Sequence, residues 1–587
     1  MTPRPPQFIH ISPDWCGEER LAQIFRQNGY PVLHHERGAL AADLMMARAT
    51  GRKAPRALRE AALLTGLHRV NSFWRPPLEA WRALPFLLDQ FPDARFILTT
   101  RDPDQWILDR LTRNEGIVAR CHAHHLDLPE EALPDLWRRD WQDHLAAVET
   151  LLGDDPRLIR VDIDRESPAR FCRVLRPLLP RALAPLRPDA RQDLPRATDW
   201  MPADGTTLAE RLSATMDRPG PGPPRDDPEL VEDVARFCLK GLVGGGQGHE
   251  GASSLFAEWD GGDRVVNRKG RALPYAADLA PGTETPVMML AQGRDFKWAR
   301  AEGVINDVLR LGRRDPLCID MQDARRIGED PDEPPTRPIL GHNRREGARN
   351  LVLWPLPGMH EIAAPGQPCA ESGDRIPFDE KQDRLVWRGH ISGSVPPQGG
   401  EKRQPSHQLL AALREAGDPA AQAEIMARLH QVPRLSFLHR WIDHPDVDIG
   451  MVLAWRYRDL AIHPLLARYA RPREGGKFFQ RFRYQLTLQG YDHGSNFIGA
   501  INSNSVLLKE EDGWEVYYSG RFRPWVHYIP VSLYCVDLEE KLAWARANPD
   551  RCKEMSAAAR AEVARLANPA ARRQILTRIL DGLAAIR

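Results

Sequence analysis

One run of eleven residues, Arg218-Pro-Gly-Pro-Gly-Pro-Pro-Arg-Asp-Asp-Pro228, most constrains how this chain can fold. Its prolines remove backbone donors and its glycines loosen what remains, so neither a helix nor a sheet can continue through it. The stretch reads as an exposed linker. It parts an N-terminal region, 1–200, from a larger C-terminal one, with 201–228 as the connection. At 587 residues the chain has room for two to four domains of roughly 150 residues each.

On both sides of the linker, short apolar runs alternate with helical patterns. Gln7–Ser12, Pro31–His35, Arg95–Thr100 and Arg157–Asp164 read as strands, and Glu18–Asn28, Asp104–Thr112 and Pro168–Leu179 as helices. Beyond the linker, Leu230–Lys240 reads as a helix. Leu317–Met321, Asn350–Trp354, Arg384–Arg388, Tyr484–Leu488, Ser505–Lys509 and Val526–Pro530 read as strands. Strands alternating with helices predict α/β domains with parallel sheets covered on both faces. Three helices are expected to close the chain. Asp537 with Glu540 forms a capping-box-like start, Asn568-Pro569 a cap followed by proline, and Ile575, Ile579, Leu580 and Leu583 an apolar stripe for packing.

The 81 basic and 80 acidic residues nearly cancel, so bulk charge gives no reason to bind nucleic acid or an anionic membrane. No apolar run approaches the roughly 20 residues that span a bilayer, and MTPRPPQFIHISPDW lacks the pattern of a secretory leader. The expectation is a soluble, cytoplasmic protein. Eight scattered cysteines without a Cys-x-x-Cys pair read as reduced thiols. Cys121-His-Ala-His-His125 has no second ligand pair at a zinc spacing, so it reads as a histidine cluster and no metal is expected. Gly246-Gln-Gly-His-Glu-Gly251 follows a helix instead of a strand and reads as a loop.

In Phe91-Pro-Asp-Ala-Arg-Phe-Ile-Leu-Thr-Thr-Arg-Asp-Pro-Asp-Gln-Trp106, a strand ends at Arg101 and a helix starts after Asp-Pro, where a guanidinium and helix amides can grip a phosphate. This segment resembles the 3′-phosphate-binding segment of sulfotransferases, whose donor is 3′-phosphoadenosine 5′-phosphosulfate (PAPS). Phe8–Phe25 stands where that family has its strand, phosphate loop and helix. The resemblance makes Arg101 the candidate 3′-phosphate grip. The loop departs from the family: Pro13 and Gly17 remain, but Asp14, Glu18 and Glu19 replace the lysine and hydroxyl donors, and Asp109 stands where a serine belongs. Carboxylates beside a phosphosulfate repel it, by about 1 kcal/mol even in water, which argues against PAPS here. The domain is then either a structural or acceptor-organising one, or a transferase with an altered donor site.

The richest segment is Tyr484–Val531, read as strand, polar glycine-containing loop, short helix capped by Ser495 or Asn496, and strand. Such a unit can point a helix start at a ligand phosphate. Its wording, Gly490-Tyr-Asp-His-Gly-Ser-Asn496, Ser503-Asn-Ser-Val506, Trp514-Glu515 and Pro524-Trp-Val-His-Tyr-Ile-Pro-Val531, strongly resembles glycosyltransferase family 90. That family includes capsule-associated xylosyltransferases, protein O-glucosyltransferases and bacterial enzymes that modify lipopolysaccharide. Asp537-Leu538 and Trp544-Ala545, Leu385-Val-Trp-Arg-Gly389 and, more loosely, Leu317-Cys-Ile-Asp-Met-Gln-Asp323 extend the likeness over about 285–565.

The resemblance implies a GT-B pair of Rossmann-like lobes, 229–380 on the acceptor side and 381–587 on the nucleotide-sugar side with the closing helices. It implies inverting transfer of a xylose- or glucose-like sugar from a UDP-sugar to a glycan, surface polysaccharide or lipopolysaccharide acceptor, with no cofactor and no essential metal. Asp323 is the candidate base, or else a turn residue, with Asp320 as its substitute. Arg388 is the candidate diphosphate clamp, with Lys477, Arg481 or Arg483 as helpers, because some members have Ser-Arg where this chain has Ser495-Asn496. Gly389 would let the backbone approach the donor. Gly490, Asp492, Ser495 and Asn496 would line its pocket, and Glu515 would accept ribose hydroxyls or be an exposed strand-end charge. Trp525, His527 and Tyr528 read as packing. Two readings stand beside this one: a bifunctional glycosyl- and sulfotransferase, and a non-catalytic glycan- or nucleotide-binding protein.

Overall fold

A computed structural model describes residues 6–49, 51–70, 77–126, 128–180, 183–184, 226–244, 256–262, 264–273, 275–277, 288–290, 296–323, 334–357, 359–360, 362, 373–396, 404–453, 455–490, 494 and 496–586. Residues 218–225 of the expected linker, the 246–251 loop, Asp492 and Ser495 lie outside them. The chain forms two compact units, Met1–Gly220 with Asp260–Arg314, and Pro221–Trp259 with Asp315–Arg587. Residues 260–314, expected within the 229–380 lobe, therefore group with the N-terminal region.

In the first unit, β1 (Phe8–His10), α1 (Glu18–Gln27), β2 (Val32–His34), β3 (Leu63–Thr65), β4 (Arg95–Thr100), α2 (Pro103–Thr112), α3 (Ile117–Leu126), α4 (Leu133–Leu152), β5 (Leu158–Asp162) and α5 (Pro168–Leu175) follow in order. The strands pair in the order β2-β3-β1-β4-β5, every pair parallel. Phe8, Ile9, Leu63, Leu64, Phe96 and Ile97 are buried, as parallel strands covered on both faces require. The order reverses at β1, so the chain leaves β1 and β4 on opposite sides of a crevice at their C-terminal ends. Only β3 lacked a sequence signal: Leu-Leu-Thr is too short to show a period. Asp102 caps α2 by accepting from the amides of Asp104 and Gln105 at 2.8 and 3.2 Å.

This unit buries an ionic cluster. The Arg110 guanidinium, fully buried on α2, donates to Asp14 and to Glu79 Oε1 at 2.6 Å. It also lies 4.3 Å from the Trp106 ring and 5.1 Å from that of Trp137. The Asp14 carboxylate thus points into the core and not at a phosphate loop, which corrects its expected role there. In the Cys121–His125 cluster, Trp137 Nε1 donates to His122 Nδ1 at 3.1 Å, and burial pushes the Cys121 thiol up to about 12. Among the described residues no group of three or more His, Cys, Asp or Glu is arranged to hold a metal.

The second unit contains α6 (Pro228–Leu239), β6 (Ala257–Trp259), β7 (Leu317–Ile319), β8 (Ile339–Gly341), β9 (Asn343–Arg345), β10 (Leu351–Leu353) and β11 (Gln382–Gly389). It continues with α7 (Pro433–Trp441), β12 (Val447–Met451), β13 (Phe482–Thr487), α8 (Phe497–Ile501), β14 (Val506–Glu510), β15 (Trp514–Val516) and β16 (Ile529–Val531). Three closing helices end it: α9 (Leu538–Ala547), α10 (Pro549–Leu566) and α11 (Pro569–Ala584). Within the unit β10, β8, β7 and β6 are neighbours in that order, with β6 antiparallel. A second sheet, β12-β11-β13-β14-β16, is wholly parallel. β9 and β15 pair as an antiparallel ribbon with Arg344 opposite Glu515.

The predicted caps divide. Asn568 accepts from the amides of Ala570 and Ala571 and starts α11, whose Ile575, Ile579, Leu580 and Leu583 are buried as expected. Asp537 makes no cap bond, because its carboxylate accepts from Ser532 N and Oγ at 2.8 and 2.9 Å. No helix among the described residues is long and apolar enough to cross a membrane.

Replacing Arg110 by leucine would leave Asp14 and Glu79 buried without a counter-charge. The expected loss is about 3–5 kcal/mol, read as a lowered urea midpoint of the full chain. Arg110→Lys should recover only part of it, since an ammonium lacks the planar fork that pairs with Asp14 and Glu79 while stacking near the Trp106 and Trp137 rings.

Candidate functional site

Parallel pairing brings the ends of β11, β13, β14 and β16 to one edge of the second sheet, where the segments after them meet. Arg434 on α7 ties two of them: Nε donates to Gln489 O at 2.6 Å, Nη2 to Leu488 O at 2.9 Å and Nη1 to His390 O at 3.0 Å. Gly490 sits against that guanidinium. A Cβ there would stand 2.7 Å from Ser392 Oγ and 3.0 Å from Arg434 Nη2, so a larger residue would have to push those side chains aside. Glu510, buried at the end of β14, ties the third: it accepts from Gln489 N at 2.8 Å and Tyr534 N at 2.7 Å. Burial raises its carboxyl above the usual range. The Tyr534 bond holds the chain where Tyr534 and Cys535 adopt φ of 63° and 53°, a region that side chains disfavour. Arg434 and Glu510 escaped the sequence reading because each acts on backbone atoms distant in sequence.

Asn496 precedes α8 as expected, but its side chain does not cap the helix. Its Oδ1 accepts from Thr487 Oγ1 at 2.7 Å and its Nδ2 donates to Leu486 O at 3.3 Å, fastening the loop back to β13.

Arg388 lies at the end of β11 with its side chain 6% exposed. It donates to Asp448 Oδ1, and to Asp448 O at 2.7 Å, and its guanidinium lies 5.0 Å from the Phe478 ring. At Gly389 a Cβ would come within 2.5 Å of the Trp387 ring, so this glycine makes room for Trp387. Arg481 and Arg483 flank the start of β13 while Gly490 follows its end, and six residues of strand place them about 20 Å apart. The Arg481 guanidinium nevertheless reaches back to 5.5 Å from the Phe478 ring that Arg388 also approaches, whereas Arg483 donates to the carbonyls of Phe378 and Asp379.

Asp323 follows β7 with its side chain 47% exposed, whereas Asp320 is fully buried. Asp323 Oδ1 stands 3.8 Å from Nε2 of the buried His342, and Asn343 Nδ2 donates to Asp323 O at 3.1 Å. His342 packs 6.0 Å from the ring of His360, which lies 5.5 Å from Tyr518. Glu515 is not an exposed strand end: it accepts from Arg344 Nε at 2.8 Å, and Lys240 Nζ stands 3.4 Å away. The same guanidinium donates to the carbonyls of Phe237, Cys238, Lys240 and Leu351, so Glu515 anchors the β9–β15 ribbon. His527 and Tyr528 are buried, in keeping with packing. Trp525 is 37% exposed and packs edge-on to Trp544 at 4.8 Å.

In the first unit Arg101 Nη1 donates to Asp109 Oδ2 at 2.7 Å and to Trp15 O at 3.1 Å. Asp109 also accepts from Arg113 Nε at 2.9 Å, so a carboxylate already lies between the two guanidinium groups.

Comparison with known proteins locates one likeness on this edge. Residues 474–565, from just before β13 to late α10, match Glycosyl transferase family 90. The O-glucosyltransferase LpsA of Dichelobacter nodosus is 26% identical over 249 residues, 42% of this chain and 60% of the relative. Protein O-glucosyltransferase 3 of Rattus norvegicus is 28% identical over 78 residues, 13% of this chain and 15% of its own length. An uncharacterized protein, 035R, of Invertebrate iridescent virus 3 is 39% identical over 81 residues, 7% of its length. The chain thus spans 60% or less of each of these three relatives.

Glu510→Ala should release two amides at once, at about 1–3 kcal/mol for each left unpaired. Calorimetric melting of the full chain should show the loss, and Glu510→Gln should restore at most half of it, because its single oxygen can serve one amide while its NH2 faces the other.

Proposed function

We propose that residues 229–587 form an inverting glycosyltransferase of GT-B type. It would move a glucose- or xylose-like sugar from a UDP-sugar to a glycan or surface-polysaccharide acceptor. One observation carries the reading: the stretch matching Glycosyl transferase family 90 coincides with the strand ends and loops that Arg434 and Glu510 fasten at one edge of a parallel sheet. Open α/β sheets take their ligands at that edge. The names of the relatives, an O-glucosyltransferase among them at 26% identity, support sugar transfer as the chemistry.

Gly490, Asp492, Ser495 and Asn496 would border the nucleotide. Arg388 would stabilise the departing diphosphate. Its bond to Asp448 fixes the guanidinium plane, which favours a preorganised donor over a flexible one. Asp323, exposed and backed by the buried His342, would take the acceptor proton. Glu515 is left out of the donor set, since Arg344 occupies it. No metal or cofactor is assigned a role. PAPS is not proposed as a donor.

Incubation of the full chain with UDP-glucose and UDP-xylose should release UDP slowly, with water taking the sugar in place of an acceptor, and raise the melting temperature. Ligand at about 100 times its dissociation constant adds roughly 2.7 kcal/mol. Arg388→Ala should weaken UDP binding and lower turnover together, because the charge is felt in ground and transition states. Asp323→Asn should leave UDP affinity nearly unchanged and slow turnover by about 100-fold or more. No stabilisation by any UDP-sugar would refute the transferase reading, and full activity of Asp323→Asn would remove that residue as base.

A further inference from the structure

The first unit holds a cavity of about 320 Å³ between α1 and α5, beside the ends of β4 and β5. Leu21, Ile24, Val161, Ile163 and Phe171 make its apolar part. That volume lies in the range that small ligands with a single ring or short chain occupy. Its polar lining is unbalanced. Glu18, Glu19, Asp164 and Glu166 face three guanidinium groups, those of Arg20, Arg101 and Arg113, which leaves one negative charge in excess. Asp109 adds a second, because it bridges Arg101 and Arg113 at 2.7 and 2.9 Å, and the His68 imidazole, 3.7 Å from Glu18, offsets one of the two when protonated.

Glu18 is the group that asks for a ligand. Its side chain is 6% exposed. One oxygen accepts from Trp15 N at 2.7 Å and stands 3.7 Å from His68 Nε2. The other oxygen is buried and receives no hydrogen bond among the described residues. Burial opposes its ionisation, but the His68 imidazole beside it holds the carboxyl down to about 2, so it is a carboxylate at neutral pH. A buried carboxylate oxygen without a donor costs on the order of 1–3 kcal/mol or more, and a cationic donor would remove that cost.

We infer that this cavity binds a small amphipathic amine, its apolar ring or chain lying between α1 and α5 and its ammonium donating to Glu18. The same lining repels anions: a phosphate approaching Arg101 and Arg113 meets the carboxylate of Asp109 already between them. Asp109 and Glu18 together set the charge of the ligand. The residues that line the cavity, from Trp15 to Phe171, all lie outside 229–587, so this inference and the proposed sugar transfer can each fail without the other.

Isothermal calorimetry on the full chain tests it with three probes: 2-phenylethylamine, the carboxylate 3-phenylpropanoate, and adenosine 3′,5′-bisphosphate. The amine should bind saturably with a dissociation constant of about 1 mM or tighter, and the two anions should not bind in that range. Glu18→Gln keeps an acceptor for Trp15 N and should weaken the amine by about tenfold or more at an unchanged melting temperature. Ile163→Phe, which narrows the apolar part without touching a charge, should abolish binding. It serves as the second variant if Glu18→Gln does not fold. An amine that fails to bind the unaltered chain overturns the inference. So does phenylpropanoate or the bisphosphate binding as tightly as the amine, or amine binding that survives Ile163→Phe.

Discussion

Parallel pairing is the constraint on which the rest of this structure depends. In a parallel sheet every strand ends at the same edge, so the segments that follow the strands are gathered there whatever their sequence. The second sheet places the ends of β11, β13, β14 and β16 together in this way. Gathering alone would leave loops free to move. The Arg434 guanidinium and the Glu510 carboxylate convert it into a fixed geometry, because each bonds backbone groups from two segments. The hydrogen bonds offset part of the cost of burying Glu510, and burial still raises its carboxyl above the usual range.

Charge in the first unit follows a different logic. Asp14, Glu18 and Asp109 replace residues that would make a loop attractive to phosphate, yet the three act in different places. Asp14 faces the core and is neutralised by Arg110. Asp109 lies between two arginines and cancels part of their field. Glu18 alone lines the cavity with a buried oxygen that takes no hydrogen bond among the described residues. The electrostatic character of the site comes from where each carboxylate is aimed, and a count of acidic residues in the loop would have assigned all three the same effect.

The ribbon of β9 and β15 supplies a similar lesson. Arg344 is fully enclosed and uses its donors on four carbonyls and on Glu515. A carboxylate in a motif block thereby becomes part of the framework. Its neighbourhood in sequence to Trp514 and to the strand β14 carried no sign of this, since the partner lies 171 residues away.

The amino-acid sequence by itself determined the α/β class, most of the parallel strands, the helix start signals at Asp102 and Asn568, and the stretch that matches a glycosyltransferase family. These follow from local periodicity, capping chemistry and the wording of one continuous segment. Only the tertiary structure decided which charges meet. It set Arg388 against Asp448, His342 behind Asp323, Arg344 on Glu515 and Arg110 between Asp14 and Glu79. It also set the strand β3, whose three residues carry no readable period and are made a strand by the neighbours they pair with. Side-chain direction and long-range pairing depend on how elements pack, and packing is a property of the whole chain that no window of residues contains.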